Sequence, residues 1–147
     1  MPVGALVTSQ ALMALLKDKP KLGHITTFGG HPVIAAACLA TLKELVSGDL
    51  IGETLRKEKL FRSLLKHRLI KEIRGKGLML ALMTDDPEIT NEVILECHKN
   101  GLILFWLLFE PRAIRITPPL TISDDEIRRG CALILEVLDR ISVRNVN

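Results

Sequence analysis

Tyrosine is absent from this 147-residue chain, and tryptophan occurs once. With four phenylalanines beside it, the sequence offers no row of aromatics on which bases stack. The formal net charge is only +3, and charges of both signs are interspersed. The basic footprint of a nucleic-acid binder is therefore missing. No apolar run approaches the ~20 residues that a membrane-crossing helix needs. The opening MPVGALVTSQ has neither a basic start nor a long apolar stretch, so no secretory signal is expected. Cysteine is scarce and odd in number. Cys38, Cys97 and Cys131 lie far apart, without metal-ligand spacing. Each falls on a predicted helix face among apolar neighbours, which reads as buried thiols in a reducing compartment. The expectation is a cytoplasmic protein that binds neither nucleic acid nor membrane.

What is present is apolar. Hydrophobic residues make up 48% of the chain, which argues against disorder. The length suits one domain with a sizeable core, burying roughly 68–70% of the unfolded surface. Ala5 to Val7 reads as a strand end. Ser9 is a candidate cap for a helix carrying Ala11, Leu12, Leu15 and Leu16. Pro32 suits the first position of a second helix, running to about Val46 and stopping near Gly48. A third fits Leu50 to about Arg68, with Ile51, Leu55, Leu64 and Leu65 inward. Ile70–Arg74 and Leu78–Met83 read as strand segments with a bend at Gly75-Lys76-Gly77. Asp86-Pro87 opens a helix with Ile89, Val93, Ile94 and Cys97 on one face, closed by Asn100-Gly101. Leu102–Phe109 reads as a strand, Glu110-Pro111-Arg112 as a turn, and Ala113–Ile116 as the returning strand. Ser123 to Glu126 forms a capping box for a last helix carrying Ile127, Cys131, Ile134, Leu135, Leu138 and Ile141. Ser142–Asn147 reads as a tail. The predicted fold class is α+β, a small antiparallel sheet flanked by helices.

Two segments are too apolar for such a domain. VIAAACLA, Val33 to Ala40, is apolar on every side of its helix, and LILFWLLF, Leu102 to Phe109, on both faces of a strand. A dense core lined with alanine is one explanation. The favoured one is a partner surface outside this chain or elsewhere in it.

The corner GHITTFGGHP, Gly23 to Pro32, holds two hydroxyls and a Gly-Gly pair at the mouth of that apolar helix. Hydroxyls and free backbone N–H groups suit an anion; a loop that merely caps the turn looks the same. Arg74-Gly75-Lys76-Gly77 does not open a helix and so is no phosphate loop. His24, His31, His67 and His98 have no ligand spacing.

Four motifs in order resemble the C-terminal third of class III aminotransferases, the pyridoxal-phosphate (PLP) enzymes of fold type I that include ornithine, acetylornithine and 4-aminobutyrate aminotransferases. They are Met1-Pro2-Val3-Gly4-Ala5, Thr26-Thr27-Phe28-Gly29-Gly30-His31-Pro32, Arg74-Gly75-Lys76-Gly77-Leu78-Met79 and Ile114-Arg115-Ile116-Thr117-Pro118-Pro119-Leu120-Thr121-Ile122. The likeness runs from Met1 to about Ile141. His31 departs from it, since the family more often has Asn, a better cap.

The resemblance implies roles. Thr27 would contact the PLP phosphate of the other subunit's site in a homo-oligomer; Thr26 is open as a second contact. Arg115 would bind the substrate α-carboxylate, because a planar guanidinium grips a carboxylate bidentately. The competing reading of Arg115 is an exposed strand arginine paired with a local acid. Residues 1–48 would be a remnant of the large PLP-binding domain with its linking helix, and 49–141 the C-terminal small domain. The Schiff-base lysine of the family would lie a few residues before Met1, and the acid that partners the pyridine nitrogen further upstream. Lys17, Lys43 and Lys76 match other positions. The expectation is a truncated or partial product that carries no catalytic residue, does not hold PLP covalently and is inactive alone. The complete enzyme would transfer an amino group between an amino acid and a 2-oxo acid. A stand-alone, non-catalytic α+β interaction module is the alternative, and a small-molecule sensor a weaker third.

Overall fold

The structure, a computed structural model, describes residues 2–21 and 25–144. Met1, Gly23, His24 and residues 145–147, which the motifs and the tail include, lie outside the described residues. The chain divides into two compact units, Met1–Gly48 and Asp49–Asn147.

In the first unit, Ser9 caps α1 (Gln10–Ala14), its hydroxyl accepting from the Leu12 N–H at 3.3 Å. Ala5–Val7 forms no strand. Helix α2 (Pro32–Ser47) starts at Pro32, whose missing N–H costs nothing in the first turn. His31 Nδ1 accepts from the Val33 N–H at 3.3 Å, so histidine performs the capping bond after all. The helix ends where the Gly48 N–H reaches the Glu44 carbonyl at 3.0 Å. No residue of α2 is buried, and Val33, Leu39, Leu42 and Val46 are exposed. The apolar surplus of Val33 to Ala40 therefore stands uncovered within its unit.

The second unit is an antiparallel four-stranded sheet in the order β1-β2-β4-β3, made of β1 (Glu72–Lys76), β2 (Met79–Met83), β3 (Phe105–Leu107) and β4 (Glu110–Ile116). Helices α3 (Glu53–Leu64), α4 (Pro87–Lys99) and α5 (Asp124–Arg144) complete it. This is the expected α+β architecture. One core joins Phe61 and Leu65 to Leu80, Leu82, Ile114 and Ile116 of the sheet, Val93 and Ile94 of α4, and Ile127, Ile134, Leu138 and Ile141 of α5.

Helix α3 is shorter than periodicity suggests, and Ile51 and Leu55 are exposed. Lys57 is buried in their stead, its ammonium donating to the Leu120 carbonyl at 2.6 Å. The stem packs while the charge finds a carbonyl, a use of lysine that a hydrophobic pattern does not register. Glu58 and Arg62 fasten α3 to the β1–β2 hairpin. Glu58 accepts from the Gly77 N–H at 2.6 Å and from Arg62 at 2.8 Å. Arg62 also donates to the carbonyls of Ile73 and Gly75. Gly75 (φ +106°) and Gly77 (φ +59°) therefore serve a reversal of the chain, with Lys76 opposite Met79, where the sequence suggested only a bend.

The second hairpin differs more. β3 keeps only three residues of the expected strand, and Leu108–Phe109 makes the turn. Glu110-Pro111-Arg112 lies inside β4 rather than in the turn. Proline is tolerated there because the β2 ladder reaches only Ala113, and the β3 pairing shifts register between Trp106 and Leu107. Helix α4 is capped as expected, Asp86 accepting from the Glu88 N–H at 2.8 Å. Gly101 (φ +83°) lets the chain leave it.

At α5 both bonds of the capping box form, Ser123 N–H to Glu126 at 2.8 Å and Glu126 N–H to Ser123 at 3.3 Å. The helix runs to Arg144, past the point where a tail was expected, because Ser142 is buried and its carbonyl accepts from Arg68 at 2.8 Å. Cys97 and Cys131 are buried free thiols, pushed up to about 11 and about 12 by desolvation; Cys38 is free and half-buried.

Several carboxylates of this unit are held below their ordinary range. The Asp124 carboxyl is lowered first by Arg56, which donates to both its oxygens at 2.8 Å. Glu58 is lowered first by the Gly77 N–H and then by Arg62. A depressed folded-state value gives stability that is present above the unfolded value, about pH 4, and lost as pH falls through the lower folded one. The urea midpoint is expected to hold steady from about pH 7 to 5 and to fall below about pH 4. A flat midpoint down to pH 2 counts against these contacts.

Candidate functional site

The Thr26–His31 corner is a pair of interlocking turns. The Gly29 N–H donates to the Thr26 carbonyl and the His31 N–H to the Phe28 carbonyl, both at 3.2 Å. Gly30 takes φ +70°, and a Cβ on Gly29 would stand 2.6 Å from Thr26 Oγ1. Gly30 is thus required by the turn itself, while a Cβ on Gly29 would make the Thr26 hydroxyl turn aside. Among the described residues, the hydroxyls of Thr26 and Thr27 and the backbone N–H groups of Thr27, Phe28 and Gly30 make no hydrogen bond. They open into a groove of about 750 Å³ whose walls include Val3, Ile34, Cys38 and Leu42. Hydroxyls and N–H groups gathered on one turn suit an oxyanion of the phosphate type.

Arg115 stands in the second unit on β4. Ile114 and Ile116 on either side of it turn into the core, and Arg115 turns the other way and is exposed. Its cross-strand partners are Ala81 on β2 and Phe105 on β3. The guanidinium carbon lies over the Phe105 ring, 5.0 Å from its centroid. Among the described residues it has no hydrogen-bond or ion-pair partner, unlike Arg74, which pairs with Glu72, and Arg112, which pairs with Glu110. Arg115 and Phe105 border a cavity of about 470 Å³ with Phe61, Leu102, Ile122 and Ile134. An arginine with an unused fork on the exposed face of the sheet is equipped to take a carboxylate from outside the chain.

Sequence reading missed two contributors. Lys57 ties down Leu120, closing the Thr117–Leu120 segment that follows Arg115. Phe105 lies under the guanidinium, and only the strand register reveals it. Among the described residues, no group of three His, Cys, Asp or Glu is placed to hold a metal ion. Among them, too, no helix is long and apolar enough to cross a membrane.

The family model for class-III aminotransferases matches residues 1–138. The chain belongs to that family. This class-III chain is similar to the ornithine aminotransferase from Toxoplasma gondii, 30% identical, with a TM-score of 0.74, over 86% of this chain and 32% of that one. A second structure of that enzyme, crystallised with oxidised glutathione, is 29% identical with a TM-score of 0.75, over 88% of this chain and 32% of that one. It is described as having partial occupancy of PLP at its active site. An aminotransferase from Bacillus anthracis is 26% identical with a TM-score of 0.72, over 80% of this chain and 30% of that one. The chain thus spans about a third of the length of these aminotransferases, and the four-stranded antiparallel sheet belongs to the part they share.

Proposed function

We propose that this chain is the C-terminal part of a PLP-dependent aminotransferase that moves an amino group between an amino acid and a 2-oxo acid. PLP, when bound, supplies the electron sink for that chemistry. The residues of this chain hold and orient. Thr27 contacts the cofactor phosphate in the partner subunit's site of a homodimer, with Thr26 as a second hydroxyl. The free N–H groups around them support that reading. Arg115 binds the substrate α-carboxylate in both oxygens and so fixes the direction in which the amino group points. Residues 1–48 are an edge of the large domain with its linking helix, and 49–141 the small domain. By likeness to the family, Lys17, Lys43 and Lys76 stand at positions other than that of the cofactor-bearing lysine, and the chain alone is inactive. The working protein is cytoplasmic.

The observation that carries this reading is the Arg115 fork, free of any acid partner among the described residues on the exposed face of β4. Arg115→Lys, made in the complete protein, keeps the charge and loses the fork. The expected result is a ten- to hundred-fold lower kcat/KM, carried chiefly by KM, because a charge-assisted bond contributes about 1.5–3 kcal/mol. Steady-state kinetics with a monocarboxylic amino donor measures it; an unchanged KM removes Arg115 from substrate binding.

The overall reading is tested by capturing the endogenous polypeptide with an antibody to this region and weighing it intact. A mass far above 16.3 kDa, with a PLP-sized adduct after borohydride reduction, is expected. A mass near 16.3 kDa would favour a stand-alone interaction module, for which the uncovered α2 is the supporting feature.

A further inference from the structure

Arg115 sits in a row of residues that are direct neighbours across the sheet: Ala81, Arg115 and Phe105. Directly opposed residues share a face, so all three point away from the core side taken by Ile114 and Ile116. On one flank of Arg115 there is only the methyl group of Ala81. On the other is a ring, 5.0 Å from the guanidinium carbon, inside the range of a cation–π contact. No acid and no carbonyl of the described residues restrains the head group. An arginine left to itself samples many rotamers, and fixing it on binding a ligand costs side-chain entropy. The ring is itself restrained. Phe105 lies edge-on to His98, with centroids 6.3 Å apart, and His98 Nε2 is 2.6 Å from the Leu104 carbonyl one residue before Phe105.

We infer that Phe105 is a positioning residue for Arg115, a shelf that holds the guanidinium flat so that its fork is presented ready-made on that outer face. Stacking uses the face of the guanidinium and leaves its in-plane N–H groups free. A carboxylate that binds in that plane then meets a donor already ordered, which is where the gain in affinity arises. This rests on Arg115 being the carboxylate site, and the two claims separate in one experiment.

The test is nuclear magnetic resonance on the full 147-residue chain, observing the Arg115 Nε–Hε signal, identified by its loss in Arg115→Lys. In the wild type, ring protons of Phe105 are expected to show cross-relaxation with the Arg115 side chain, and the Hε signal to be displaced upfield by the ring. Phe105→Leu should return the signal to the position of an exposed arginine, and Phe105→Tyr should keep it displaced. Titration with 2-oxoglutarate, followed by the backbone amide signals of β4, should then give a half-saturation about two- to five-fold weaker in Phe105→Leu than in wild type, with Phe105→Tyr restoring it. Absent cross-relaxation in the wild type overturns the inference without any variant, and an Hε signal unmoved in folded Phe105→Leu overturns it as well. If wild type and Arg115→Lys titrate alike, the carboxylate role of Arg115 falls, while the signal position still judges Phe105.

Discussion

Gly75→Ala is expected to destabilise the second unit by about 3 kcal/mol or more. The added Cβ would stand 2.0 Å from the Met79 carbonyl oxygen and 3.0 Å from its carbon. Both are backbone atoms of the opposing strand, so neither side chain rotation nor local repacking relieves the contact. The backbone also holds φ +106°, where L-residues are strained. The Gly75 carbonyl accepts from Arg62, so moving the strand aside breaks the tie to α3 as well. Gly101→Ala separates the two causes. It shares the positive φ, at +83°, but nothing lies within 4 Å of its Cβ, so only the conformational cost of about 1 kcal/mol is expected. Thermal melts of both variants decide the matter. A drop of more than about 10 °C is expected for Gly75→Ala, given 4–8 °C per kcal/mol for a domain of this size. Equal losses for the two glycines would remove the clash from the account.

Leu82→Ala should lose about 2–5 kcal/mol through lost burial and the cavity left behind. Leu82 is 0% exposed and sits mid-sheet, paired to Ile73 on one side and to Ile114 on the other. Its neighbours are held by two ladders and cannot collapse into the void, which places the cost toward the upper part of that range. Leu108→Ala is the matched control: at 86% exposure in the β3–β4 turn it should change stability by no more than about 0.5 kcal/mol. Urea titrations with unchanged slopes give both numbers. A Leu82→Ala loss below about 1 kcal/mol would mean that the core does not pack as one cluster.

What could be read from the sequence was what depends on neighbours in the chain. Ser9, Pro32, Asp86 and the Ser123–Glu126 box all act over three or four residues, and those four helix starts were legible for that reason, whereas α3, which lacks a side-chain cap, starts at Glu53 rather than Leu50. The β3–β4 hairpin was not. Its turn is Leu108–Phe109, two apolar residues at 86% and 94% exposure, while the turn-forming Glu110-Pro111-Arg112 lies in the strand. Turn chemistry lost there to the register set by the packing of Ile114 and Ile116. Lys57 was invisible because its acceptor, the Leu120 carbonyl, is 63 residues away. At the candidate site, Thr26, Thr27 and Arg115 could be named from motifs. The free amides beside the threonines and the ring beneath the guanidinium required coordinates, since both follow from backbone geometry and strand pairing rather than from residue order.

The thiols of this chain divide by environment in a way that supplies a reporter without mutagenesis. Cys97 and Cys131 are sealed in the core, with thiols raised to about 11 and about 12. Cys38 is half-buried and lines the groove beside Thr26 and Thr27. A maleimide dye offered to the folded wild-type protein at neutral pH is expected to react at Cys38 ahead of the two buried thiols and so to place its fluorophore on α2. Its brightness then reports whether an anion or another protein surface has closed over that groove.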